Sequence, residues 1–174
     1  MGPFPATPQG VQTKGASVAF DPKRLNRTDW GVLVAGAIAF IALFLPWYGV
    51  SVAGFSASVS GWSTGYGLFG GLLLVAAAAW FFLWRAEAAI PKEGPLTPLV
   101  VTTGLAAVGL LLVVIRWATL PRGGGGILGR SFNYGPRVGI WLAVIMGVVE
   151  VACAAILFTR SGEQLPWKSA GPHS

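Results

Sequence analysis

Four apolar stretches constrain this chain more than anything else in it: Trp30 to Trp47, Tyr66 to Trp84, Leu99 to Trp117 and Val138 to Phe158. Each is 18 to 21 residues long. At ~1.5 Å per residue such a helix crosses a hydrocarbon layer of ~30 Å. A soluble chain of 174 residues has no core large enough to hide four of them. Charged residues make up only 10% of the chain, against roughly 25% in an average soluble domain. The expected fold is therefore all-α and integral to a membrane, a single bundle of four spans (about 30–47, 66–84, 99–117 and 138–158) within a domain of 30–159.

The flanks are polar. Residues 1–29 open with Met-Gly-Pro-Phe-Pro and carry Lys14, Lys23, Arg24 and Arg27, which reads as a disordered basic tail. Residues 160–174 form a short second tail. The first apolar run starts at Trp30, too late for the core of a cleavable signal peptide, and Ala6 breaks the myristoylation pattern after Gly2.

An even number of spans puts both tails on one side. That side, with the loop after the second span, holds eight basic residues: Lys14, Lys23, Arg24, Arg27, Arg85, Lys92, Arg160 and Lys168. The other side holds four, Arg116, Arg122, Arg130 and Arg137, all in the third connection. The excess places both termini in the cytoplasm of a plasma (inner) membrane protein. Trp30, Trp80 and Trp84 fall at the expected cytoplasmic ends of the spans, and Trp47, Trp117 and Trp141 at the outer ends, as in an interfacial aromatic belt.

The two outer connections differ. In Gly49 to Gly65 apolar residues alternate with serine without a single charge. A two-residue turn at Ala53-Gly54 sets Val52 opposite Phe55 and Val50 opposite Ala57, the pattern of a small extracytoplasmic β-hairpin; the alternative reading is a Ser/Gly-rich loop with no fixed shape. The third connection contains four consecutive glycines, Gly123 to Gly126, which suggests a flexible segment. Its arginines, Arg116, Arg122, Arg130 and Arg137, suit lipid headgroups or an acidic partner.

Helices in a bilayer associate through close packing of small residues. Gly67 and Gly71 in the second span, and Gly139, Ala143 and Gly147 in the fourth, form stripes suited to packing within the chain. Glu150 lies within about 40° of that last stripe, so its carboxyl is aimed into the seam roughly 18 Å from the outer surface. An ionised carboxylate is costly there, so Glu150 is either protonated or paired. Arg116 is ~15 Å too far along the axis to pair with it, whereas Thr102 and Thr103 lie nearer the right depth. Glu150, Thr102 and Thr103 thus form the one candidate polar site inside the spans. It reads as a structural hydrogen-bonded acid or as a proton- or cation-linked site.

Catalytic patterns are not found. The one histidine is His173, near the end of the sequence, and the one cysteine, Cys153, sits within the fourth span, which leaves no partner for an intrachain disulfide. No metal-ligand, P-loop or dinucleotide-binding spacing occurs. The expectation is no enzyme, no cofactor and no metal. The net charge of +6 comes from loops and tails, which points to membrane surface rather than nucleic acid.

With its proline-bearing tail, Phe44-Leu45-Pro46-Trp47 at the first exit, glycine- and alanine-rich spans and a late glutamate, the chain resembles uncharacterised four-span membrane proteins of actinobacteria, including the 34 kDa antigen-like group. It departs from that group in lacking a long Pro/Gln/Gly-rich C-terminal tail. The resemblance implies an envelope-associated accessory or scaffolding subunit whose partners are the bilayer, other membrane proteins or further copies of itself. The competing expectation is a small proton- or cation-linked transporter or channel subunit that uses Glu150.

Overall fold

The computed structural model describes residues 25–52, 55–86, 97–127 and 130–162. The chain is mostly helical, with four helices long and apolar enough to cross a membrane and one small antiparallel sheet. The tails before 25 and after 162, and the Ala53-Gly54 turn, lie outside the described residues.

Helix α1 spans Arg27–Phe44, three residues earlier at each end than the apolar run suggested. Asn26 caps it: its side chain accepts from the Asp29 amide at 2.8 Å while the Asp29 carboxylate accepts from the Asn26 amide at 3.0 Å. These reciprocal bonds satisfy two donors at the helix start and extend the helix beyond the hydrophobic run. Pro46 ends it, because the residue before a proline is pushed out of helical geometry, and Leu45 is extended. Helix α2 covers Tyr66–Arg85. Helix α3, Pro98–Thr119, opens with proline at its first position behind the Thr97 cap. Helix α4, Val138–Ser161, ends at Gly162, whose φ of 68° is the left-handed conformation that glycine adopts without steric cost.

The helices pack as a ring in which α1 lies beside α2 and α4, and α3 completes the circle. Two buried clusters fill it. The one near the sheet includes Ala39, Leu43, Trp47, Leu74, Ala77, Ala106, Val113, Ile140 and Ala143. The one at the opposite end holds Val32, Phe81, Leu99, Ala154 and Leu157. Outward faces are apolar as well: Val34, Ile41, Phe69, Leu83, Leu111, Ile145 and Val148 are all exposed. A helix apolar on every side belongs in a buried or membrane setting.

Small residues set the helix spacing. A Cβ on Gly36 would collide with that of Ala78. Gly70 and Gly109 meet backbone to backbone, so that a Cβ on Gly109 would lie 2.9 Å from the Gly70 carbonyl oxygen. Gly71 faces Leu43 and Gly147 faces Leu110 and Leu74. The stripes containing Gly67, Gly71, Gly139, Ala143 and Gly147 are therefore turned into the chain's own interior.

The hairpin has the register that the alternation predicts. Strand β1, Pro46–Val52, pairs with β2, Phe55–Ser60, so that Val52 faces Phe55 and Val50 faces Ala57. It is only half of the sheet. The four-glycine run is not a flexible segment: it forms β3, Gly123–Ile127, and pairs with β4, Arg130–Pro136. Strand β4 then pairs with β1, giving the order β2-β1-β4-β3. Glycine carries no side chain to signal a strand, yet its backbone N–H and C=O pair as any other residue's do once β4 offers a template.

A single 3-10 turn, Gly61–Ser63, connects β2 to α2. The Arg137 amide donates to the Trp47 carbonyl at 2.9 Å, which carries the β1–β4 pairing to the first turn of α4.

Two glycines on α3 test this packing. Gly109→Ala forces backbone apart where α2 and α3 touch and should destabilise the bundle by about 1–3 kcal/mol. Gly104, on the same helix, has nothing within 4 Å of where a Cβ would go. Gly104→Ala should leave stability unchanged or raise it by up to about 1 kcal/mol through helix propensity. Thermal melting in detergent measures both; equal losses would show that the Gly70–Gly109 approach is not a close contact.

Candidate functional site

The polar site predicted inside the spans centres on Glu150. Along each helix a few residues separate the two apolar clusters: Ala35 and Gly36 on α1, Ala78 on α2, Thr102 on α3, and Gly147 and Glu150 on α4. All are buried, and Glu150 and Thr102 are both 0% exposed. A carboxyl thus occupies a narrow zone of small side chains between two hydrocarbon layers.

Neither threonine at that depth bonds to Glu150. The Thr102 hydroxyl donates instead to the Pro98 carbonyl at 2.9 Å, one turn back on its own helix. Neither carboxyl oxygen of Glu150, nor the hydroxyl oxygen of Thr103, has a hydrogen-bond partner. Thr103 instead borders a surface cavity of about 230 Å³ with Val100, Gly104, Ala107 and Phe158. A threonine hydroxyl is satisfied most readily by its own helix backbone, a competition that residue depth alone does not reveal. Glu150 is left as a fully buried acid whose neutral form carries one O–H with no acceptor and whose ionised form has no countercharge. Either condition is costly, and unmatched buried polar groups concentrate at sites with a role.

A second polar centre, missed by sequence reasoning, closes the end of the bundle opposite the sheet. The Arg85 guanidinium donates to the Asp29 carboxylate at 2.6 Å, joining the start of α1 to the last turn of α2. Asp29 is fully buried, while the Arg85 side chain remains about a third exposed. The guanidinium also lies over the rings of Phe81 and Trp84, at 5.4 and 4.8 Å from their centroids. One Asp29 oxygen therefore meets the guanidinium and the other meets the Asn26 amide. The readable signal was the capping-box spacing Asn26-x-x-Asp29, with Arg85 at the matching end of the next span.

The arginines of the third connection do not gather into one site. Arg116 is half-buried, its stem against Gly67, and its Nε has no hydrogen-bond partner. Arg122 stacks on Trp117 at 4.5 Å and donates to the Trp117 carbonyl at 3.0 Å. Arg137 folds back over Gly49 and donates to Ser51 at 3.0 Å, bordering a cavity of about 210 Å³ lined by Asn133, Tyr134 and Pro136. The side chain of Arg130 lies outside the described residues. Arg122 and Arg137 brace the sheet against the helix ends through neutral partners, and both side chains remain exposed.

Trp47 also departs from its expected place in an interfacial belt. It is 0% exposed, and its indole N–H donates to the Ala42 carbonyl at 2.7 Å. Trp30 and Trp141, by contrast, are exposed. The ring of Trp141 meets that of Trp117 edge-on at 5.2 Å. Among the described residues no group of three or more His, Cys, Asp or Glu side chains is placed to hold a metal ion. Cys153 faces Gly31 across the α1–α4 contact.

The Asp29–Arg85 pair yields a graded expectation. Arg85→Ala strands a buried carboxylate and strips a cation from two rings, costing about 1–3 kcal/mol after allowance for the exposed guanidinium. Asp29→Asn keeps an oxygen for the cap and should cost less. Combining Asp29→Asn with Arg85→Met should recover part of the Arg85→Ala loss in a detergent melt; no recovery would mean that the pair is not coupled. No protein-family model, curated protein or solved structure matches this chain.

Proposed function

We propose that this chain is an integral membrane protein that works without catalysis, as an accessory or scaffolding subunit of a larger membrane or cell-envelope complex. In this reading both termini lie in the cytoplasm of the plasma membrane and the sheet stands outside it. The apolar outer faces of all four helices support the membrane setting, and the excess of basic residues on the tail side supports the orientation. The resemblance to four-span actinobacterial envelope proteins points the same way.

One observation carries the proposal. The sheet is fixed to the bundle through the buried Trp47, and β2, the turn that follows and the start of α2 present Phe55, Trp62 and Tyr66 to the surroundings, at 84%, 41% and 70% exposure. A firmly held platform with exposed aromatic side chains is suited to binding another protein.

Glu150 favours a second reading, as a proton-linked site, because its carboxyl is buried among small residues with no hydrogen-bond partner. Acidic groups inside spans are often proton relays. The placement of a single acid between two apolar clusters, with no histidine in any described span and the one other acid, Asp29, paired with Arg85 at the end of α1, supports the structural role instead.

Two measurements separate the readings. A tagged full-length chain drawn from native membranes in mild detergent should bring down other membrane proteins in fixed proportion. The purified chain in liposomes with an internal pH-sensitive dye should pass no protons, and Glu150→Gln should behave as the parent. Proton flux that disappears in Glu150→Gln, with no co-purifying protein, would replace the scaffold reading with the transport one.

A further inference from the structure

We propose that the free edge of β2 pairs antiparallel with β2 of a second copy, so that one sheet runs across both. The inference rests on the reading of the sheet as a binding platform and names its partner.

The order β2-β1-β4-β3 leaves β2 outermost. One side of the strand is bonded to β1, and no described element lies against the other, so its N–H and C=O groups form an open template. Edge strands are ordinarily blunted by charge, proline or a bulge. Phe-Ser-Ala-Ser-Val-Ser has no charge and no proline, and the one register shift lies at the Pro46/Tyr48 end of the pairing. All residues from Phe55 to Val59 are exposed.

Charge selects a second copy as the occupant. On the sheet side the chain has arginines and no acidic residue. Arg122 precedes β3, Arg130 opens β4, and Arg137, which follows it, folds back over Gly49 and Ser51 of β1, so none of these cations belongs to β2 itself. Two copies meeting at β3 would bring like charges together, whereas β2 carries no charge of its own. The strand also complements itself. About a two-fold axis through Ala57, that residue falls opposite its own mate, Phe55 opposite Val59 and Ser56 opposite Ser58, so apolar residues meet on one face, serines on the other, and no charges oppose. Five residue pairs make a small contact beside the ~1,600 Å² of a typical stable interface. The exposed aromatic group that adjoins the strand, Trp62 packed on Phe44 and Phe44 on Phe40 at 5.4 and 5.2 Å, extends it toward the helices.

Cysteine scanning tests the pairing. In the full chain carrying Cys153→Ser, single cysteines replace each residue from Phe55 to Ser60, and native membranes are oxidised with copper phenanthroline. Across the two-fold axis, each step away from the centre adds roughly 6.6 Å between a residue and its mate, while a disulfide needs Cα atoms within ~7 Å. Dimer bands should therefore peak at Ala57→Cys, at least tenfold above Phe55→Cys and Val59→Cys. Ser58→Lys, on an exposed position, should shift the purified protein from dimer to monomer mass with an unchanged melting temperature. Flat or absent cross-linking along β2, with a monomeric parent, overturns the pairing. So does a cross-linking peak at Gly125→Cys on β3. Co-purification of other membrane proteins with such a monomer would leave the scaffold reading standing and remove only the second copy.

Discussion

Everything at the sheet end of this molecule depends on the burial of Trp47. Its indole occupies the point where α1 stops, β1 starts, and α2 and α4 begin. Three glycines from three different segments give way to it: a Cβ on Gly61, Gly67 or Gly139 would come within 2.8, 2.6 or 2.6 Å of the ring. The one polar atom of the indole is satisfied by the Ala42 carbonyl, which lacks its i+4 donor because position 46 is proline and which also accepts from the Leu45 amide at 3.2 Å. A large side chain at this place makes the helix ends and the sheet one packed unit. The Arg137 amide on the Trp47 carbonyl then fixes where β4 hands over to α4.

Away from that point the bundle uses two different means of cohesion. Within the helical layer it is close approach: Gly36 on Ala78, Gly70 on Gly109, Gly71 on Leu43. Helices in lipid gain little from the hydrophobic effect, so contact distance is what holds them. At the end opposite the sheet the means is electrostatic and local, with Asp29 serving at once as capping residue and as partner of Arg85. Glu150 belongs to neither arrangement. It interrupts the apolar filling where the two clusters separate, which is why both a structural and a proton-linked reading attach to this residue and not to the arginines.

Much of the architecture was legible because membrane-length helices and short alternating strands leave strong periodic signals. The helix seams followed from small-residue spacing at Gly67, Gly71, Gly139, Ala143 and Gly147, and the β1–β2 register followed from a single turn placement. Four features were not legible, each for a physical reason. Gly123 to Gly126 show no side-chain alternation, so their pairing with β4 is visible only once the partner strand is in place. Trp47 has the composition of a belt residue and the position of a core residue, and only the three glycines from distant segments distinguish the two. Thr102 lies near Glu150 in depth, but its hydroxyl is taken by its own helix, a choice set by rotamer rather than by sequence spacing. The Asp29–Arg85 pair joins residues 56 apart and was signalled only by a capping pattern.

The claim that the sheet and bundle form one unit through Trp47 is tested most directly by amide hydrogen exchange, read by mass spectrometry on the chain in lipid nanodiscs. Replacing the indole by a smaller apolar side chain in Trp47→Leu removes its hydrogen bond and much of its packing, a loss of about 2–4 kcal/mol at the junction. Peptides covering β1 and β4 should then exchange at least tenfold faster, while the middle of α2 and α3 keeps its protection. A sheet as protected in Trp47→Leu as in the parent would contradict the account.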